Sequence, residues 1–238
     1  MHLLRTLAGL IFPPVCRLCR IPGTFPLCPG CLSRVRLIVP PLCLKCGRPL
    51  NGSAGSVLTC GLCRRRPLGF ATVRAAGVYE GTLREAIHEL KFRGCRAMAQ
   101  PIGGLMASAW QEFGVPVDAV VPVPLHGARL RARGFNQSGL LAQVVGGELG
   151  IPGVDALVRL RSTQPQSTLL FHERRRNVRE TFAARERIGG KRILLVDDVL
   201  STGFTASECA ARLYGAGAAE VHVLVAALAL LERQPTGN

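Results

Sequence analysis

Arg192-Ile-Leu-Leu-Val-Asp-Asp-Val-Leu-Ser-Thr-Gly-Phe-Thr205 is the stretch that decides the fold. Its apolar run, Ile193 through Val196, is β-branched at both ends and follows Gly189-Gly190, so it reads as a short strand buried on both faces of a parallel sheet. Asp197 and Asp198 fall where that strand should end. Residues 199–205 read as a tight loop of small, hydroxylated and glycine residues, and residues 206–214 as a helix. A strand, an acidic pair, a loop and a helix in that order turn loop amides and a helix N-terminus toward one point. Such a point binds anions.

Working outward, residues 71–79, 117–124 and 157–160 read as further strands. Residues 82–92 carry Leu83, Ala86, Ile87 and Leu90 on one stripe of a helix, with Lys91 and Gly94 as its C-terminal cap. A second helix places Ile102, Leu105, Met106, Ala109 and Trp110 on one face, and Trp110 reads as core. Strand alternating with helix predicts an α/β domain over residues 70–238, with a mainly parallel sheet flanked by helices. Ligands bind such sheets outside the carboxyl ends of the strands. Asp197, the Val123-Pro124 exit and residues 161–179 belong to that edge, and arginines 129, 131 and 133 stand next to the strand's exit, before Gly134-Phe135-Asn136-Gln137. The arginines suit a pyrophosphate, and Asn136 alternatively reads as a plain helix cap. Residues 161–179, with Gln164, Gln166, His172, Arg174, Arg175, Arg176 and Asn177, read as a basic lid over a polyanion.

Residues 1–66 form a different unit. Cys16/Cys19, Cys28/Cys31, Cys43/Cys46 and Cys60/Cys63 are four Cys-x-x-Cys knuckles in succession, each presenting two thiolates to a tetrahedral ion. Eight such ligands make two closed, structural zinc sites. Sequential pairing joins the first knuckle with the second and the third with the fourth; the spacing also permits an interleaved brace. Redox dithiols are the weaker reading, since nothing explains four in a row. Arg17, Arg20, Arg34, Arg36, Lys45 and Arg48 lie among the ligands and suit nucleic acid contact, while Arg64-Arg65-Arg66-Pro67-Leu68-Gly69 reads as a linker.

The chain has 238 residues and a net charge of +15. Of its 30 basic residues only Lys45, Lys91 and Lys191 are lysine, and the arginine fork is the side chain that suits phosphate best. That charge points to phosphate-bearing ligands or nucleic acid, with an arginine-rich composition as the bland explanation. Hydrophobic content of 48% excludes a disordered chain. No apolar run reaches the length of a membrane span; the longest, residues 223–231, is too short. The first twelve residues faintly resemble a signal peptide, but Pro13-Pro14-Val15-Cys16 offers no cleavage site, which places the chain in the cytoplasm with its cysteines on metal. A receiver domain is excluded by the short remainder after Asp198, and a P-loop by the absence of its motif.

Residues 193–205 closely resemble the phosphoribosyl pyrophosphate signature of the type I phosphoribosyltransferases. Together with the four knuckles, His88-Glu-Leu-Lys-Phe92, Val121-Pro-Val-Pro-Leu125, Arg133-Gly-Phe-Asn-Gln137 and the segment from Gln166 to Phe182, the chain resembles the ComF family. The resemblance implies a type I phosphoribosyltransferase-like domain that binds phosphoribosyl pyrophosphate or a related sugar phosphate. Asp197 and Asp198 would take the ribose 2′ and 3′ hydroxyls, directly or as ligands of Mg²⁺. Val199, Leu200, Ser201, Thr202, Gly203, Phe204 and Thr205 would wrap the 5′-phosphate. Arg129, Arg133, Asn136 and Gln137 would face the pyrophosphate, with Arg174 and Asn177 in the cover. It also implies a part in DNA uptake beside competence proteins, with single-stranded DNA as a partner. A metabolic phosphoribosyltransferase and a non-catalytic sensor are the alternatives. Ser201 stands where some purine-using relatives carry an acid, which argues against a 6-oxopurine acceptor.

Overall fold

The structure, a computed structural model, describes residues 13–50, 59–65, 68–161 and 181–230. Four parallel strands form the central sheet in the order β1 (Thr72–Val78), β6 (Glu220–Leu228), β5 (Arg192–Leu200), β2 (Ala119–Pro122). β5 and β6 hold the centre because their apolar runs tolerate burial on both faces: Ile193 through Val196 and Val223 through Leu228 are all buried. One face is covered by α3 (Gly81–Phe92), α4 (Ala99–Phe113) and α6 (Gln137–Leu149), the other by α7 (Phe204–Gly215). Trp110 is core, as expected.

β5 runs further than the sequence suggests. Residues 197–200 remain strand, because β6 continues to pair with them through Asp197–Val225 and Leu200–Leu228. On its other side pairing stops at Pro122–Val196, apart from one bond from the Val123 amide to the Val196 carbonyl. The acidic pair therefore lies in a strand with one edge paired and one edge open. Of residues 199–205, read as one loop, Val199 and Leu200 end the strand, Phe204 and Thr205 begin α7, and only 201–203 bend. Gly203 makes that bend at φ 79°, which favours glycine.

β3 (Leu157–Arg159) leaves the parallel sheet and pairs antiparallel with a strand the sequence did not announce, β4 (Phe182–Ala184). The expected lid, residues 161–179, falls between these two strands, and its residues 162–179, including Gln164, Gln166, His172, Arg174 and Asn177, lie outside the described residues. Arg129, Arg131 and Arg133 occupy a short helix of their own, α5 (Gly127–Arg133), closed by Gly134.

The cysteine-rich module is welded to the sheet. Leu37 bridges Gly77 antiparallel, the Val78 amide donates to Arg36, and the Val73 amide donates to Lys45. Approach is so close that a Cβ on Gly77 would lie 2.8 Å from the Arg36 carbonyl oxygen. Arg17 reaches the buried Glu89 of α3 at 2.9 Å. Cys16, Cys28 and Cys31 join the core beneath α3, and Cys43, Cys46 and Cys63 the core beside Phe70 and Val73. Cys28 caps α1 (Pro29–Leu32), and Arg64 and Arg65, read above as linker, form the last turn of α2 (Gly61–Arg65), which carries Cys63.

Candidate functional site

The carboxyl ends of β1, β2 and β5 open into a cleft of about 1040 Å³. Its floor is Asp197 and Asp198. One wall is the end of α3 with Lys91 and Phe92, the second is α5 with Arg129 and Arg133, and the third is the 201–203 bend with the start of α7. Arg129 and Arg133 are four residues apart, so one helix face presents both. α7 starts at Phe204 on the cleft wall, so the positive end of its dipole lies at the cleft.

The acidic pair is partly satisfied. Ser138 donates its hydroxyl to Asp197 Oδ1 at 2.8 Å, and the Asp198 amide donates to the same oxygen at 2.9 Å. Lys91 Nζ sits 2.7 Å from Asp198 Oδ1. Asp198 Oδ2 is buried and has no partner among the described residues, and neither has the hydroxyl of Thr202. Loss of water, then the adjacent Asp198 charge, push the Asp197 carboxyl up to about 7, with Lys91 and the Ser138 bond pulling it back. Burial pulls the Lys91 ammonium down, but the Asp198 charge and hydrogen bond outweigh it, and the net direction is up.

Asp197, Asp198, Val199, Leu200, Ser201, Gly203, Phe204, Thr205, Arg129, Arg133 and Gln137 all line the cleft. Thr202 is set behind them. Asn136 is not in the lining: it caps α6 by accepting from the Ser138 amide, and donates to the Val123 carbonyl at 3.0 Å. Gln137 accepts from Arg133 and so fixes the guanidinium. Sequence reasoning missed Lys91, taken as a cap, along with Ser138 and Arg159, which also lines the cleft.

The cysteines gather as two groups, Cys16/Cys19/Cys28/Cys31 and Cys43/Cys46/Cys60/Cys63, with the four sulfurs of each within 4.8 Å of one another. The sequential pairing holds. A tetrahedral ion with Zn–S bonds of about 2.3 Å sets its sulfurs about 3.8 Å apart. The observed Sγ–Sγ distances include 3.8 Å for Cys16–Cys31, 3.5 Å for Cys19–Cys28 and 3.6 Å for Cys46–Cys60. Amides of Cys28 and Cys60 donate to Cys16 and Cys43. These amides do for thiolates what they do in structural zinc knuckles.

Residues 7–64 match the double zinc ribbon domain and residues 95–236 match the phosphoribosyl transferase domain. DNA utilization protein YhgH of Escherichia coli strain K12 is 34% identical over 90% of this chain and 96% of its own length. Competence protein F of Haemophilus influenzae is 30% identical over 83% of this chain and 88% of its own. Competence protein ComFC of Bacillus subtilis is 29% identical over 75% and 74%. The chain belongs to the ComF family. In this ComF protein the two cysteine groups are structural zinc sites, closed by four thiolates each with no position left for a substrate. Much of the module's positive charge is also spent on the protein itself. Arg34 donates to Cys31 Sγ, Arg36 pairs with Glu80 and Lys45 donates to the Ala71 carbonyl, as Arg17 does to Glu89. Among the described residues no helix is long and apolar enough to cross a membrane.

Proposed function

We propose that the cleft binds phosphoribosyl pyrophosphate or a related ribose 5-phosphate ester, and that the protein works in DNA uptake, where it contacts single-stranded DNA. The observation that carries the first part is Asp198 Oδ2, a buried acceptor left unmatched at the floor of a cleft whose walls are cationic. An unmatched buried acceptor is costly, and a ribose hydroxyl supplies the missing donor. The N-terminus of α7 and the 201–203 bend suit a 5′-phosphate, and Arg129 and Arg133 suit a pyrophosphate. The match to the phosphoribosyl transferase domain supports the same assignment.

Chemistry at this site would consist of positioning and charge stabilisation: arginines neutralise a departing pyrophosphate while the acids hold the ribose. Mg²⁺ fits as the counter-ion of that pyrophosphate. On the acidic pair it would stand beside the Lys91 ammonium, so the ribose hydroxyls are taken directly. Calorimetry with phosphoribosyl pyrophosphate and Mg²⁺ tests the binding, and release of pyrophosphate with a panel of bases separates enzyme from sensor. No heat of binding at any concentration short of millimolar sinks the assignment.

The DNA role draws on the relatives named for competence and DNA utilization and on the net charge of +15. Fluorescence anisotropy with labelled single-stranded DNA should show binding that weakens steeply from low to physiological salt. Absence of binding at low salt removes DNA contact from the proposal.

A further inference from the structure

Two carboxylates at adjacent positions repel, and a nearby cation offsets that repulsion. At the cleft floor Lys91 is that cation, 2.7 Å from Asp198 Oδ1. Lys91 comes from the last turn of α3, an element that reaches the sheet through Leu83, Ala86, Ile87 and Leu90, all buried. Its side chain is 18% exposed and that of Asp198 6%, so the pair is removed from water on both sides. A cation that merely capped α3 would turn to that helix's own carbonyls. Lys91 turns away from them, and the neighbouring Arg93 is the one that folds back along α3, onto Glu89.

Resting on the ribose phosphate reading above, we infer that Lys91 is a positioning residue that keeps the acidic pair ready to accept sugar hydroxyls, in place of a divalent ion held by the protein. Asp198 Oδ1 is committed to Lys91 and Asp197 Oδ1 to Ser138 and the Asp198 amide. What remains is one oxygen on each carboxylate, Asp198 Oδ2 being buried and unmatched among the described residues. One acceptor on each of two neighbouring acids is the complement of two vicinal hydroxyls. A Mg²⁺ ion bound to the same oxygens would face the Lys91 ammonium at short range, and Arg133 from the opposite wall adds to that repulsion. The protein therefore carries the charge that a metal would otherwise bring, and the sugar end of the ligand is held without one.

Ribose 5-phosphate tests this, because it presents the hydroxyls and the phosphate but no pyrophosphate to bring Mg²⁺ of its own. The zinc-loaded protein is passed over a chelating resin to remove free divalent ions and titrated calorimetrically with and without added Mg²⁺. The wild type is expected to bind equally in both. Lys91→Met is expected to bind at least about tenfold more weakly without Mg²⁺ and to recover most of that loss with it, since the ion replaces the missing charge. Lys91→Arg is expected to keep metal-free binding, which a purely structural role would not require. Wild-type affinity that rises about tenfold or more with Mg²⁺ overturns the inference and leaves the ribose phosphate reading standing. Lys91→Met binding as tightly as wild type without Mg²⁺ overturns it too. No wild-type binding in either buffer brings down the ribose phosphate reading, and this one with it. If Lys91→Met does not fold, the wild-type comparison decides alone.

Discussion

The cysteine module and the cleft both gather groups that repel one another, and they resolve the repulsion in opposite ways. In the module each of two groups of four cysteines supplies every ligand position that a tetrahedral ion would need. In the cleft two carboxylates receive a lysine and a serine on one side and stay open on the other. A closed set stabilises the fold and leaves no ligand position open. An open set holds the fold less well than it could, and that deficit is the affinity available to a ligand.

Stripping the zinc attacks the closed set and should give the largest effect. Elemental analysis is expected to find about two equivalents per chain. Removal with a strong chelator should lower the melting temperature by roughly 10 °C or more, the size expected when about 3–5 kcal/mol is lost from a chain of this length. The whole protein should respond, not the module alone, because Arg36, Leu37, Lys45 and Gly47 are built against β1. A metal-free protein that melts where the holo-protein does would mean that the module is an independent appendage.

The open set should answer in the reverse sense. Asp197→Asn together with Asp198→Asn is expected to weaken ribose 5-phosphate binding by about 100-fold or more, since two charge-assisted bonds of roughly 1.5–3 kcal/mol each are lost. The melting temperature should change by only a few degrees, because the carboxylate repulsion that the substitution removes offsets part of the cost of leaving the buried Lys91 ammonium without its partner. Calorimetry and differential scanning fluorimetry read the two quantities on the same sample. A double variant that melts well below wild type would show the acids to be structural, and the contrast with the module would be lost.

How much of this was legible in the chain depends on how local the signal is. The centre of β5 was readable because four consecutive apolar residues leave no other face to expose. Its end was not, because Asp197 and Asp198 look like terminators when read alone, and they remain in the strand only through β6, whose pairing lies elsewhere in the sequence. The knuckles announced their metal, since Cys-x-x-Cys spacing is set by one tight turn, but their partnering depends on how the turns are brought together. Lys91 read as a helix cap because Gly94 follows it; its partner Asp198 is distant in sequence and no period links them. Asn136 read as either a pyrophosphate ligand or a cap, and its bonds to Ser138 and Val123 are those of the cap. β4 escaped notice because Phe-Ala-Ala shows neither alternation nor a β-branched residue.

The smallest effect belongs to the far end of the same strand, where β5 begins with a closed pair. Arg192 gives Asp118 three hydrogen bonds, from its amide at 2.8 Å, from Nε at 3.1 Å and from Nη2 at 2.7 Å. These side-chain and backbone bonds hold the Asp118 carboxyl down at about 2, whereas Asp197, five residues after Arg192, is pushed up to about 7. For a carboxyl held low in the folded state, the sign follows directly. The folded state binds fewer protons than the unfolded chain, whose aspartate titrates near pH 3.9, so the contribution is fully present above about pH 4 and is lost as the pH falls toward about 2. Asp118→Asn should therefore melt only about 1–2 °C below wild type at neutral pH, as an exposed pair allows. That gap should close between about pH 4 and pH 2, while ribose 5-phosphate binding stays unchanged throughout the neutral range. If instead the gap persists below about pH 2, the bonds to Arg192 do not act through the carboxylate charge. If Asp118→Asn weakens binding, the two ends of β5 are coupled, and the closed pair at one end helps to set the open pair at the other.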